Sequence, residues 1–378
     1  MDRKDNTGGR IVRVPLHAIC PYFAMFPEGF VREHVERLCR PGDWVFDPFC
    51  GRGTTVLESL LLGRNAAGSD VNPVAYCVSR AKAQRPGLTS LRARLDRLEE
   101  GCVSGRPNRW ENERVALPPF FRRAFYSTTL RELLYLRATL DWQSDKTDRF
   151  ITALILGSLH GEMDRSNAYF SNQMRRTICL KPDYSLRYWR KHRLFPKKRD
   201  VFGMLREKAE YRLTDIPDCP SGDVRLADAR TVSGRFRKLR GRVSLVVTSP
   251  PYLNVTRYEE DQWLRLWFLG GESRPTYGKV SRDDRHESPN LYWRFLTECW
   301  TGLAPLLADG AKVVVRLGAI GLSQDQMTAG LSTTFKTVFP SLRMLERPAR
   351  SDIVRRQAQS FLPGSKGCLF EMDYILAV

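Results

Sequence analysis

From residue 27 onward, apolar positions switch between a helical period and short unbroken runs. Pro27 to Leu38 carries Phe30, Val31, Val35 and Leu38 at helical spacing, and Pro41-Gly42 then breaks the chain. Trp44-Val45-Phe46 reads as a short strand ending at Asp47, followed by the turn Pro48-Phe49-Cys50-Gly51-Arg52-Gly53-Thr54-Thr55. Val56, Leu57, Leu60 and Leu61 form the stripe of a second helix. Asn65 to Asp70 reads as another strand with an acid at its carboxyl end, and Pro73 to Ala83 as a third helix. Strands alternating with helices, with Gly and Asp at the strand ends, predict a parallel α/β sheet that binds a ligand at its carboxyl edge.

Between residues 85 and 217 the strand signal stops. Leu91 to Glu100 is a charged amphipathic helix, and Pro118 to Leu140, Phe150 to Leu159 and Asp200 to Tyr211 also read as helical. The α/β rhythm resumes with Arg225-Leu226-Ala227-Asp228 and with Ser244 to Val247 entering Thr248-Ser249-Pro250-Pro251-Tyr252. A helix over about Tyr292 to Leu307, a buried strand over Ala311 to Leu317 and a strand-like end over Cys368 to Val378 complete the pattern. The expected organisation is a catalytic domain in two parts, 1–84 and 218–378, carrying a mainly helical insertion over 85–217.

Composition narrows the partner. The chain has 378 residues, with 61 Lys and Arg against 42 Asp and Glu, a formal charge of +19. At 42% hydrophobic and 11% aromatic it is too apolar to be disordered over most of its length. Its most apolar window, Ile151 to Leu159, is about half of the roughly 20 residues a membrane helix needs. The polar start shows no secretory signal, so a soluble, cytoplasmic protein is expected. The charge is clustered. Lys181 to Arg199 holds Lys181, Arg187, Arg190, Lys191, Arg193, Lys197, Lys198 and Arg199 with the single acid Asp183, interleaved with Tyr184, Tyr188, Trp189 and Phe195. Arg225 to Arg242 is similarly basic. Basic residues neutralise phosphates and aromatic planes stack on bases, so a nucleic acid is expected. A membrane surface is disfavoured because no amphipathic helix with a clean apolar face is evident in these runs. The 9 cysteines and 5 histidines are dispersed without any Cys-x-x-Cys pair, so no metal is predicted.

Two motifs carry the chemistry. In Asp47 to Thr54, Gly51 and Gly53 let a ligand approach the backbone of a strand-to-helix turn, and Asp70 at the next strand end can hold ribose hydroxyls. A third glycine is missing, since position 56 is Val, and no Lys grips a phosphate. A nucleoside without phosphates, such as S-adenosyl-L-methionine, therefore fits better than NAD or ATP. In Thr248 to Tyr252, two prolines fix φ and remove two donors, leaving rigid carbonyl acceptors beside the Ser249 hydroxyl and the Tyr252 ring. That set suits a planar base bearing an exocyclic amine.

Together, Asp47-Pro-Phe-Cys-Gly-Arg-Gly-Thr54 and Thr248-Ser-Pro-Pro-Tyr252 resemble the amino-group DNA methyltransferases that use S-adenosyl-L-methionine, and the serine form resembles their N4-cytosine branch. The resemblance implies a Rossmann-like methyltransferase sheet, mostly parallel with an antiparallel C-terminal strand. It implies that Phe26, Asp47, Pro48, Phe49, Gly51, Gly53, Thr54, Asp70, Asn72 and Asp228 bind the cofactor: Asp47, Phe49 and the glycines line its methionine end, Asp70 its ribose, and Asp228 faces its adenine amine. Ser249, Pro250, Pro251 and Tyr252 would form the catalytic motif, with Ser249 and the Pro250 carbonyl accepting from the target amine and Tyr252 stacking on the base. The implied partner is double-stranded DNA, with room for a cognate restriction endonuclease. Members of this family often read their target beside the catalytic motif. Here the large insertion makes Arg187, Arg190, Lys191, Arg193, Lys197 and Lys198 the expected DNA-binding residues. The rival readings are an adenine-N6 or RNA amino-methyltransferase of the same fold, and a non-catalytic nucleic-acid-binding protein.

Overall fold

The computed structural model describes residues 14–21, 27–104, 107–161, 167–171, 173, 181–253, 258–276, 288–353 and 368–378. Eight strands form one sheet: β1 (Trp44–Asp47), β2 (Asn65–Asp70), β3 (Asp223–Leu226), β4 (Val243–Thr248), β5 (Leu307–Gly318), β6 (Arg343–Met344), β7 (Ala349–Asp352) and β8 (Phe370–Ala377). Their order is β3-β2-β1-β4-β5-β8, with β6 and β7 sharing the outer edge of β8. β1 to β5 are parallel and β8 is antiparallel to β5. This is the mostly parallel, Rossmann-like sheet expected from the sequence, including its antiparallel C-terminal strand. The order reverses between β1 and β4, the place where the carboxyl ends of an open α/β sheet leave a crevice.

The period of two along each strand divides the core. Phe46, Val246, Val313 and Val315 face one side, where they pack with Tyr292, Trp300 and Phe335 of α14 (Pro289–Leu303) and α15 (Gln324–Val338). Val45, Leu245, Val247 and Val314 face the other, against Val31 and Val35 of α1 (Glu28–Leu38). The remaining helices of the N-terminal part are α2 (Thr54–Leu61) and α3 (Pro73–Ala83).

The insertion supplies α4 (Leu88–Ser104), α5 (Pro107–Ala116), α6 (Pro119–Ala124), α7 (Ser127–Thr139), α8 (Lys146–Leu156), α9 (Pro182–Lys191) and α10 (Val201–Leu213), and its described residues hold no strand. The single helix expected over Pro118 to Leu140 is two. Phe125 and Tyr126 are extended, and the break buries Phe125 beside Phe120 and Phe121. The helix expected from Phe150 begins earlier, on the Asp145 cap, and stops at Leu156. At Gly157 the backbone of Ile19 passes so close that a Cβ would collide with its carbonyl oxygen.

The chain closes with α11 (Val232–Arg235), α12 (Tyr258–Asp261), α13 (Trp263–Phe268), α14 and α15. The helix α13, which follows the Ser-Pro-Pro-Tyr motif in sequence, packs into the insertion: Trp263 lies 5.1 Å from Phe120 and Trp267 4.5 Å from Phe121. Arg265 is wholly buried there, its Nε donating to the Leu156 carbonyl and Nη2 to that of Pro21. The helices of the insertion and the segment after the Ser-Pro-Pro-Tyr motif therefore share one core. No helix among the described residues is long and apolar enough to cross a membrane.

Candidate active site

The two motifs meet at the switch point. β1 delivers Asp47 and β4 delivers Thr248 on adjacent parallel strands, and the Thr248 hydroxyl donates to Asp47 Oδ1 at 2.6 Å. Both side chains are buried, Asp47 at 2% exposure and Thr248 at 0%. The backbone N–H of Phe49 also donates to Asp47 Oδ1, at 3.0 Å. Burial pushes the Asp47 carboxyl up to about 7, with these hydrogen bonds acting in the opposite direction.

The glycine turn is rigid. Gly51 and Gly53 have φ of +47° and +73°, the left-handed region that side chains disfavour. Gly53 also lies against α3, where a Cβ would come within 2.8 Å of Ser79 Cβ. Asp70 holds the turn from the end of β2: its Oδ2 accepts from Gly51 N–H at 2.8 Å and its Oδ1 from Asn72 N–H at 2.9 Å. Asn72 in turn caps α3 by accepting from Val74 N–H. Pro48 is buried, its carbonyl accepting from Ser69, and Thr54 is buried at the start of α2. The Phe49 ring is partly buried, 6.2 Å from Phe295.

Sequence reading missed what supports this turn from behind. Lys82 on α3 is wholly buried and donates to the carbonyls of Arg52 and His17. Arg52 also donates to His17, whose ring sits 2.6 Å from the buried Glu58. A lysine at helical spacing reads as a solvated residue in a sequence; only the return of residue 17 to this point gives it partners.

Asp228 follows β3, caps the short turn after it, and is held bidentately by Arg230 through Nε and Nη2. Its carboxylate thus already has a charged partner beside any adenine it would meet. Phe26 lies outside the described residues.

In the second motif Pro250 is buried and Ser249, Pro251 and Tyr252 are partly exposed. The residue after the motif, Leu253, bridges to Ala319 just past β5. The Tyr252 ring passes over Gly318, where a Cβ would come within 2.7 Å of it. The Ser249 hydroxyl donates to the Tyr252 hydroxyl at 3.3 Å, and Tyr252 donates to Glu371 Oε1 on β8 at 2.8 Å. Burial, then the Glu371 charge, holds the Tyr252 phenol well above its usual range.

The first part of the basic run forms the helix α9, whose buried side is Trp189 and the polar Ser185 rather than a clean apolar face. Trp189 and Ser185 of α9 are buried, the indole donating to the Gln173 carbonyl and packing on Phe120. A fully buried tryptophan is worth about 3–5 kcal/mol against alanine, so the apolar side of α9 is committed to the core. What remains outward is Tyr184 stacked near Tyr188, together with Arg187, Arg190 and Lys191. Arg193, Lys197 and Lys198 continue this exposed surface beyond the helix.

Residues 3–79 match the family model described as DNA methylase (N6_N4_Mtase). The matched stretch contains the first motif. A stretch of 77 residues is 31% identical to the type II methyltransferase M.MjaII of Methanocaldococcus jannaschii, covering 20% of this chain and 14% of that protein. A stretch of 63 residues is 36% identical to the type II methyltransferase M.BsoBI of Geobacillus stearothermophilus, covering 15% of this chain and 12% of that protein. The chain thus matches only a small part of the length of these relatives. Among solved structures, TrmN from Thermus thermophilus aligns with a TM-score of 0.36 and 13% identity over 98% of this chain and 55% of its own. The resemblance to amino-group DNA methyltransferases is borne out over the matched residues, which include Asp47 to Thr54, Asp70 and Asn72 but not the Ser-Pro-Pro-Tyr motif.

These residues fit S-adenosyl-L-methionine. The donors given to the Asp47 carboxylate among the described residues are hydroxyls and a backbone N–H, with no cation, which suits a ligand whose methionine end carries positive charge. The Asp70 carboxylate stands at the end of β2, beside the glycine turn, where it accepts from Gly51 N–H.

Proposed function

We propose that this chain transfers a methyl group from S-adenosyl-L-methionine to the exocyclic N4 amine of a cytosine flipped out of duplex DNA. The observation that carries the reading is the Thr248–Asp47 hydrogen bond, which joins the amine-accepting motif to the cofactor motif at one sheet edge. The cofactor supplies an electrophilic methyl on a sulfonium. Asp47 and the Gly51–Gly53 turn would hold its methionine end, and Asp70 its ribose. Ser249 Oγ and the Pro250 carbonyl would accept the two N–H bonds of the amine, turning its lone pair toward the methyl. A conjugated amine is a poor nucleophile, so fixed geometry and aimed acceptors supply most of the acceleration. Such a pocket takes the base only when it leaves the stack.

Double-stranded DNA would lie against the helical insertion, with Arg187, Arg190, Lys191, Arg193, Lys197 and Lys198 on its phosphates. On this reading the enzyme would act on chromosomal DNA in the cytoplasm, with a cognate endonuclease reading the same sequence as its expected companion. Replacing Arg190 and Lys191 together with alanine should weaken DNA binding and lower the slope of log affinity against log salt by about 2. Anisotropy titrations across a salt series measure both; an unchanged slope would place the phosphate contacts elsewhere.

The function itself is tested by incubating unmethylated duplex DNA with the protein and cofactor, digesting to nucleosides and identifying products by mass spectrometry. N4-methylcytosine is expected. N6-methyladenine would keep amino-group transfer but reassign the base, and methylation of RNA alone would reassign the nucleic acid. No methylated base in either would overturn the reading.

A further inference from the structure

The hydrogen bonds behind Ser249 run in one direction. A phenol has one proton to give, and a carboxylate can only accept. Tyr252 gives its proton to Glu371 Oε1 at 2.8 Å, so its oxygen can receive only from Ser249. Ser249 has then spent its own proton, and its remaining valence is acceptor lone pairs. Glu371 lies on β8, far from the motif in sequence, opposite Gly318 of β5 and Ser351 of β7. Arg316 of β5 stands beside it: Nη1 is 3.7 Å from Glu371 Oε2 while Nε and Nη2 grip Asp373 at 2.7 Å each. The guanidinium is itself covered by the Phe30 ring of α1 at 3.9 Å. Glu371 is 24% exposed, so one end of this chain of groups reaches water.

Building on the proposed amino-group transfer, we propose that Glu371, acting through Tyr252, fixes Ser249 as an acceptor toward the target amine and takes up the proton that the amine sheds. The amine lone pair forms the N–C bond as the C–S bond to the sulfonium breaks, its electron pair passing to sulfur. The N–H bond of the methylated amine then breaks. Its proton passes to Ser249 Oγ, the serine proton to Tyr252 Oη, and the tyrosine proton to Glu371, which returns it to water. No other co-reactant is needed. Glu371 touches no substrate and is a positioning residue; Arg316 holds it.

Glu371→Gln separates this role from a structural one, because the amide oxygen can still accept from Tyr252 but cannot become neutral by gaining a proton. The expected result on unmethylated duplex DNA is a kcat about 10²-fold lower with KM for DNA and cofactor unchanged, and a lost or altered solvent deuterium isotope effect. Tyr252→Phe keeps the ring over Gly318 and should lose as much, with the double variant no worse than either single one. Independently of activity, fluorine NMR of ligand-free protein containing fluorotyrosine should show the Tyr252 resonance, identified by its loss in Tyr252→Phe, moving in Glu371→Gln. Wild-type kcat and isotope effect in an active Glu371→Gln protein would overturn the relay and leave the methyltransferase reading standing. An unmoved Tyr252 resonance would also overturn it. A wild-type protein that methylates no nucleic acid would overturn both.

Discussion

Replacing Ser249 with alanine is expected to lower kcat by about 10²–10³-fold while cofactor affinity stays at the wild-type value. The hydroxyl is the one side-chain acceptor in the motif that can meet an incoming amine; the other acceptor is a main-chain carbonyl that the substitution does not touch. Its removal leaves one N–H unpaired in a closed pocket and the lone pair free to stay conjugated with the ring. The residues proposed to hold the methionine end and ribose of the cofactor end or follow β1 and end β2, and Asp47 meets the motif through Thr248, not Ser249, so binding of the methyl donor should be untouched. Single-turnover kinetics with calorimetric cofactor titration read the two quantities separately. Full turnover in a variant that binds cofactor would remove Ser249 from the chemistry. A parallel loss of cofactor affinity would show that the hydroxyl supports the pocket rather than the amine.

The sheet was legible in the sequence because its strands are buried on both faces. Ser244 to Val247 and Ala311 to Leu317 read as short, largely apolar runs, and each lies within a strand. The N-terminal helices were legible from their apolar spacing. The edge was not. β6 and β7 are exposed and short, with Arg343, Arg350 and Asp352 among their residues, so their membership of the sheet is decided by pairing with β8 and by no pattern of their own. The helix α13 was missed for a related reason: Trp263 to Phe268 is too short a run to show a period, and what makes it a helix is burial against Phe120 and Phe121.

The site was legible where chemistry is local. A turn that needs left-handed backbone at two positions declares itself through Gly51 and Gly53, and paired prolines declare a rigid acceptor loop. The long-range partners could not declare themselves. Glu371 stands 119 residues from Tyr252, and Asp47 201 residues from Thr248; charge and spacing give no sign of either meeting. Asp228 marks a further limit. Its place after β3 was readable, but Arg230, two residues on, competes for the same carboxylate, and only side-chain geometry shows that this pair forms.

Asp47 gives the proposed cofactor site a pH dependence whose sign follows from its environment. An ordinary aspartic acid ionises near 3.8; here burial pushes the carboxyl up to about 7. Between those values the folded protein keeps a proton that the unfolded chain has lost. The Asp47 contribution to ligand-free stability therefore declines as pH rises from about 4 to about 7 and is constant above. Cofactor binding runs the other way. A cationic methionine end favours the ionised carboxylate, so at pH below 7 binding must expel the proton. Affinity should fall by about tenfold for each pH unit below that point and level off above it. Calorimetry in buffers of different ionisation enthalpy should count close to one proton released at acidic pH and none at alkaline pH. Asp47→Asn keeps the shape and the contact to Thr248 but cannot ionise. It should bind weakly at every pH, near the wild-type value at acidic pH. An equally flat profile in the wild-type protein would place the positive end of the cofactor away from Asp47 and leave the glycine turn and Asp70 as its only anchors.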